Sequence, residues 1–511
     1  MPDPSDVANS SPFDPPTGVT PDILESSAPI TRSHHGRRWA AAAGAAAAAA
    51  LVGGGIVAAM ALSGGGTQPE DVVPAGAVVY ADLDLDPSAG QKVNALRFLR
   101  SFPDMSAKLG SGDDLQRNVV DALFSGSDVN PATQIDPWLG SRYGVAVLEL
   151  DGKPEPMVVL QTTDADAARA ALPGLLDGGV GFTVVGDYVV IAQTQAQAEQ
   201  LAAAGASQPL SQDPSFTAAV GSLGDGVATL YVDESKAQTM LKDSAAALGG
   251  LGGLDGLSSL TSSGSSLVDG QLGAVVRFEP DALEVVASAD TRASLPAGQI
   301  ESLVSTLPGS TAAAFGTVGG GDNAVRQWAS LSQQLDAAAG TDAAATLEQQ
   351  FGIRLPDDLK TLLGDDLVVA FDGQGPATAF PSVGMRSITD PAAAADLAAR
   401  LQPLVDQATA GMGVVVKPTT DGMVVATTPQ YASTLASGDG SLGTSAAFTH
   451  AVPEAKGAQS ILYIDVDKLS TALGLGADAS ASNALDPLEA VGVSATSSVG
   501  KVHVLLRVTL G

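Results

Sequence analysis

The stretch "FTAAVGSLGDGVATLYVDESK" (216–236) returns, about 230 residues further on, as "FTHAVPEAKGAQSILYIDVDK" (448–468). Each opens on Phe-Thr, crosses a Gly-containing polar middle, enters an apolar segment with a Tyr, and closes on Asp and Lys. Five further matches keep the same order. They are "VPAG" (73–76) with "LPGS" (307–310), "DPWLGSRYGVAVLE" (136–149) with "KTLLGDDLVVAFDG" (360–373), and "TDADAARAAL" (163–172) with "TDPAAAADLAARL" (389–401). The others are "GDYVVIAQT" (186–194) with "DGMVVATTP" (421–429), and "GAVVRFEPDALEVVASAD" (273–290) with "GVSATSSVGKVHVLLRVT" (492–509). One match alone is weak, but six in a preserved order describe two sequential copies rather than a solenoid of short units. The copies are expected over 73–300 and 301–511.

Within a copy the periodicities are mixed. In "KVHVLLRVTL" (501–510), Val502, Val504, Leu506, Val508 and Leu510 alternate with Lys501, His503, Leu505, Arg507 and Thr509. Period two builds a strand with one face on a core and the other mostly in water. Helices fall between strands. "TQAQAEQLAAAG" (194–205) ends on Gly, and "DPAAAADLAARLQPLV" (390–405) has an Asp cap and a Pro in its first turn. One-sided strands suit a largely antiparallel sheet with helices on one face, so two α+β lobes are expected. A doubly wound α/β arrangement is the alternative.

Composition narrows the chemistry. The 511 residues carry a net charge of −31, no Cys and only 4% aromatics. Disulfides, thiolate zinc sites and cysteine nucleophiles are excluded. A phosphate backbone would be repelled, so nucleic acid is not an expected partner. No cofactor is implied.

The N-terminal region sets the expected location. Residues 1–38 read as a disordered cytoplasmic tail ending in "TRSHHGRR", with Arg32, Arg37 and Arg38. Residues 39–62 carry no charge and, at about 1.5 Å per residue, are long enough for a hydrocarbon core of about 30 Å. Residues 63–72 form a linker with acids and no Lys or Arg. The basic asymmetry places the N-terminus inside, so the lipid bilayer is a partner through 39–62 and the bulk of the chain lies outside the cell membrane. A cleaved export signal is the rival, with Arg37-Arg38 and Ala59-Met60-Ala61 as its marks, but the apolar run exceeds the usual ~7–15 residues.

Candidate sites are few. In "VVYADLDLDPSAGQ" (78–91), Asp82, Asp84 and Asp86 sit at positions one, three and five of a calcium-loop pattern. Position six is Pro87 rather than Gly, and position twelve is Val93 rather than Glu. The competing reading is a strand whose Tyr80, Asp82 and Asp84 face water, with a turn at Asp86-Pro87 and then an amphipathic helix. The matching stretch of the second copy, "STAAAFGTVGGG" (310–321), has no acids. Asp233 and Asp465 are strand-end acids, expected as helix caps and otherwise as hydrolase carboxylates. His450 and His503 read as surface residues. "GDGSLG" (438–443) matches a phosphate-loop spacing that chance supplies in a chain with 58 Gly. Leu248, Leu251, Leu254, Leu257 and Leu260 recur every third residue among glycines and are the candidates for a flap over an apolar ligand; a plain connector is the competing reading.

The stretch "VPAGAVVYADLDLDPSAGQKVNALRFLRSFP" (73–103), with "WLG" (138–140) and "GDYVVIA" (186–192), resembles the actinobacterial membrane-anchored proteins of domain-of-unknown-function family 3352. The resemblance covers roughly 70–511 and implies a short inner tail, one span and a long outer region. It brings no activity and no site residue. The expectation is therefore a single-pass envelope protein, a non-enzymatic module for binding or structure with an unnamed envelope protein as partner. The alternatives are an apolar-ligand carrier with a groove between lobes, and an acid-residue hydrolase.

Overall fold

A run such as "YVVIA" (188–192) has no polar alternation, and the fold explains why. In the computed structural model, which describes residues 66–103, 130–176, 179–240, 270–292, 298, 300–339, 343–373, 382–409, 413–474 and 485–511, it is an interior strand buried on both faces. Tyr188, Val190 and Ala192 join a core beneath the helices Gln195–Ser207 and Pro214–Val220. Val189 and Ile191 join another beneath the helix Ala165–Leu175. The tail, the run 39–62 and the five leucines of the expected flap lie outside the described residues. Among the described residues no helix is long and apolar enough to cross a membrane.

The fold is mixed α+β, built on one large antiparallel sheet. Its first eight strands are β1 (Val79–Asp84), β2 (Leu139–Leu150), β3 (Lys153–Thr162), β4 (Gly181–Val185), β5 (Tyr188–Ala192), β6 (Ala228–Asp233), β7 (Gln271–Glu279) and β8 (Ala282–Asp290). The next eight are β9 (Thr311–Val318), β10 (Asp366–Asp372), β11 (Ser382–Ile388), β12 (Val415–Pro418), β13 (Gly422–Ala426), β14 (Ser460–Asp465), β15 (Leu488–Ser498) and β16 (Lys501–Leu510). The first set is ordered β4-β5-β3-β2-β1-β6-β7-β8 and the second β12-β13-β11-β10-β9-β14-β15-β16, so the order repeats. The strand pairs are antiparallel throughout, which removes the doubly wound alternative.

The two halves meet at their last strands. β8 and β16 pair from Lys501↔Asp290 to Thr509↔Ala282. Tyr231 faces Gly273 in the first half as Tyr463 faces Gly492 in the second, so Gly273 and Gly492 are equivalent positions. By the same register Ser288 corresponds to Arg507, Val286 to Leu505 and Glu284 to His503. Across the seam Glu284 pairs with Arg507, Ser288 with His503, and Val286 with Leu505. That is the pattern of a two-fold contact, in which each residue meets its partner's equivalent, built here within one chain. Val286 and Leu505 mark its centre and are buried with Leu223 and Val275. On the opposite face Val285 and Val508 pack against Phe98 and Phe278.

Local signals repeat as well. Asp164 caps its helix by accepting from Asp166 N (3.0 Å) and Ala167 N (2.9 Å), and Asp390 accepts from Ala393 N at 2.8 Å. Thr194 and Thr428 cap the helices Gln195–Ser207 and Pro429–Ser437. Each supplies an acceptor to a helix N-terminus whose amides otherwise lack one.

Three expectations change. The sheet is covered on both faces near its ends rather than on one, because helices after β3 and β11 pack opposite those after β5 and β13. In β16 the most buried residues are Leu505 and Thr509, on the face expected to be wet. Both faces of β16 are partly covered, Leu505 at the seam and Val508 and Leu510 in the cluster of Phe98 and Phe278, so the alternation does not divide a dry face from a wet one. Residues 66–72, expected as linker, include the short helix Pro69–Asp71 and the buried Val72, and they pack on the first half.

Gly273 and Gly492 test the shared architecture. A Cβ at Gly273 would stand 2.4 Å from Ala219 O, and one at Gly492 2.1 Å from Ala451 O, in both halves the last turn of a covering helix. Backbone cannot swing aside, so Gly273→Ala and Gly492→Ala should each cost about 1–3 kcal/mol or more. Urea titration of each variant reads this directly; two unchanged midpoints would refute the close approach.

Candidate functional site

The acids of β1 are built into the protein rather than presented to water. β1 is an interior strand, between β2 and β6. Tyr80 is fully buried beneath Phe216, whose ring meets it edge-on at 5.6 Å and Tyr231 at 5.4 Å. Residue 82 lies on the same face two positions on, so Asp82 is buried too, at 8% exposure. Its Oδ1 accepts from Thr229 N (3.0 Å), and the Tyr80 Oη lies 2.9 Å from its Oδ2. Glu70, from the short helix Pro69–Asp71, reaches the same hydroxyl at 3.0 Å.

Asp84 and Asp86 belong to a different arrangement. Arg142 on β2 is 2% exposed; its Nε donates to Asp84 Oδ2 (3.1 Å) and its Nη2 to the Asp86 carbonyl (3.0 Å) and Oδ2 (3.3 Å). Lys92, almost wholly buried on the helix Ala89–Arg100, pairs with the other oxygen of Asp86. Asp84 Oδ1 accepts from Asp86 N at 2.7 Å, which fixes the turn. Two cations thus offset two anions, as burial requires.

These environments move the carboxyls. Burial pushes Asp82 well above the usual carboxylate range, and the nearby charge of Glu70 adds to it. Glu70 is raised by burial, with Asp71 and Asp84 contributing. Asp84 is also raised by burial, against the pull of Arg142. Burial and the two carboxyls carry the Tyr80 phenol far above its ordinary range.

The three aspartates do not converge as a calcium loop would need. Asp82 points to Tyr80 and Thr229, while Asp84 and Asp86 are held by Arg142 and Lys92. Among the described residues no three His, Asp or Glu side chains are placed to share a metal ion. The wet strand expected for Tyr80, Asp82 and Asp84 is replaced by a covered one, because residues 66–77 and the helix Pro214–Val220 close over that face.

The strand-end acids both accept hydrogen bonds from the chain that follows them. Asp465 accepts from Lys468 N (3.0 Å) and caps the helix Val466–Leu473; Asp233 accepts from Lys236 N at 3.2 Å and from the Ser235 hydroxyl at 2.7 Å. For Asp233, burial opposes ionisation, but Ser235 and Lys236 outweigh it and hold the carboxyl below its usual range. His450 is partly exposed, as expected, and is also paired: its Nδ1 lies 3.0 Å from Glu489 in its own half and its Nε2 3.0 Å from Asp281 across the seam. His503 faces Glu454 at 3.5 Å. "GDGSLG" lies against 306–307, with Gly440 N donating to Thr306 O (2.9 Å) and Leu442 N to Leu307 O (3.0 Å), so two of its amides are spent within the fold. An open depression of about 470 Å3 lies beside Val93, Leu96, Arg97, Arg100 and Ser101.

Glu70, Arg142 and Lys92 were not singled out from sequence. Glu70 stands in an apparent linker, and Arg142 is far along the chain from Asp84. The usable signal was the pairing of "PED" before a Val-Val with a lone basic residue inside the apolar β2.

No family model matches the chain, and no curated protein matches it in sequence. Among solved structures it overlaps two crystal forms of TP0453. Form III gives a TM-score of 0.23 at 12% identity, over 45% of this chain and 83% of that one. Form I gives 0.21 at 12%, over 46% and 83%. Overlaps this loose bear on neither fold nor function.

Removing Arg142 would strand Asp84 and half of Asp86 in the interior. Arg142→Ala is expected to cost about 3–5 kcal/mol, the penalty for an uncompensated buried charge. Arg142→Met combined with Asp84→Leu should recover much of that. Guanidinium unfolding of the single and double variants compares them, and equal losses would mean that the charge pairing is not what matters.

Proposed function

We propose that this chain is a single-pass, non-enzymatic envelope protein that displays its α+β region outside the cell membrane as a binding or structural module. Residues 39–62 would cross the bilayer and 1–38 would stay in the cytoplasm, with 73–300 and 301–511 as the two displayed repeats. The reading places it with the membrane-anchored proteins of domain-of-unknown-function family 3352 that it resembles. One observation carries it: residues 66–77 are docked onto the sheet, so few residues separate the apolar run from a rigid body. A short tether of this kind suits a module held close to a membrane, and the Lys/Arg asymmetry gives its direction.

An apolar-ligand carrier has one observation in its favour. Phe315, 43% exposed, stands on interior β9 with Val369 and Leu462 directly beside it. An aromatic ring left open in the middle of a sheet is a point at which an apolar partner could be seated. The seam between the halves, by contrast, is filled by paired strands with apolar clusters on both faces. Lipid that co-purifies with the full chain and is lost in Phe315→Ser would favour the carrier; no bound lipid by native mass spectrometry would remove it.

The anchored topology is tested on the full-length protein. It should sediment with membranes, resist alkaline carbonate extraction, and expose 66–511 to protease added outside intact cells. Recovery of the intact chain in the soluble cytosolic fraction would overturn the proposal.

A further inference from the structure

We infer that Glu70 and Asp82 share one proton through the Tyr80 hydroxyl at neutral pH, and that this proton latches the strap 66–77 onto the sheet. The argument starts from counting hydrogens. A phenol has a single O–H, and Tyr80 Oη lies 3.0 Å from Glu70 Oε2 and 2.9 Å from Asp82 Oδ2. Were both carboxyls ionised, Tyr80 could donate to one, and the other would press a bare oxygen against its lone pairs. A proton on one carboxyl removes that conflict. The chain then runs from Thr229 N–H to Asp82 Oδ1, from Asp82 Oδ2–H to Tyr80 Oη, and from Tyr80 O–H to Glu70 Oε2. Asp82 is the carrier because it is the more deeply buried of the two.

The surroundings leave the proton little competition. The strap contributes Asp71 beside Glu70, and β1 contributes Asp84. From β5 comes Tyr188, whose hydroxyl donates to Thr67 O at 2.7 Å. From β6 comes Tyr231, and at the head of the helix Pro214–Val220 stands Asp213, which accepts from Gly76 N at 2.8 Å. Among the described residues the cation on this side is Arg142 of β2, already held by Asp84 and Asp86, with Lys92 beyond it on Asp86. Burial and neighbouring acids therefore act in one direction on both carboxyls.

Glu70 is the member that ties this to the strap. The rest of the strap is held by the Tyr188 hydroxyl to Thr67 O and Gly76 N to Asp213, by Leu210 N to Val73 O (2.7 Å) and Ala75 N to Gln208 O (2.8 Å), and by the burial of Val72 and Val73. Acids raised in the folded state lend stability at low pH and lose it as pH rises through their folded values. Alkaline conditions should thus loosen the strap at Glu70 first. The inference does not depend on the anchored topology.

The test uses the full chain in detergent micelles, with Asp82→Asn, Glu70→Gln and Tyr80→Phe. The side-chain amide introduced by Asp82→Asn would reproduce the protonated carboxyl, its nitrogen donating to Tyr80 and its oxygen accepting from Thr229. Wild type should show the infrared C=O stretch of a protonated carboxylic acid at about pH 7, and Asp82→Asn should lose it. The melting temperature of wild type should fall between about pH 6 and about pH 9 more steeply than that of Asp82→Asn or Glu70→Gln. Tyr80→Phe, which leaves two carboxyls without a mediator, should be steeper still. No protonated-acid band in wild type, or a wild-type slope retained in both amide variants, would overturn the inference. Should Asp82→Asn fail to fold, Glu70→Gln decides by its slope.

Discussion

The pairing of β8 with β16 is the contact on which the whole sheet depends. A strand at the edge of an antiparallel sheet leaves a row of amides and carbonyls open, a standing invitation to aggregation. Each half of this chain ends in such a strand, and each satisfies the other. The centre is apolar, Val286 against Leu505. The flank is charged: Glu284, 3% exposed, is held by Arg277 from its own half at 2.7 Å and by Arg507 from the other at 2.8 Å. A buried carboxylate with two guanidinium partners tolerates little displacement, since losing either leaves charge uncompensated. Asp281 adds a second crossing, toward His450 and Arg507.

The two halves share a backbone plan but not a charge plan. Tyr80, Asp82 and Asp84 on β1 correspond, through their registers against β6 and β14, to Ala314, Gly316 and Val318 on β9. The second half therefore buries small apolar groups where the first buries a tyrosine and Asp82 and half-buries Asp84. The pairs Tyr231–Asp233 and Tyr463–Asp465, by contrast, recur in both, with Asp465 accepting from Tyr463 at 3.2 Å. Features present twice serve the fold, as the capping acids do. The acidic system present once distinguishes the first half from the second, and it sits where the chain enters the sheet.

Some of this could be read from the residues alone. The caps at Asp390 and Asp465 were readable because a helix N-terminus is satisfied by neighbours in sequence. The helix Ala89–Arg100 after Asp86-Pro87 was readable for the same local reason. The faces of the strands were not. In "YADLD" and "KVHVLLRVTL" the alternation did not separate a dry face from a wet one, because both faces are at least partly covered, by residues 66–77, a helix beyond β5 and the opposite half. Asp82 misled because its polarity suggested water, whereas its partners are a phenol and a backbone amide within the core.

The sequence by itself determined the mixed α+β composition, the order of matched segments, the helix caps and the exclusion of cysteine chemistry. These rest on short-range stereochemistry and on which atoms are present. Only the tertiary structure decided that the final strands join the halves, that Glu70 leaves an apparent linker to meet Asp82, and that Arg142 finds Asp84 and Asp86. Burial and long-range pairing are properties of the assembled layers, because the free energy of a charge depends on the medium and partners that close around it.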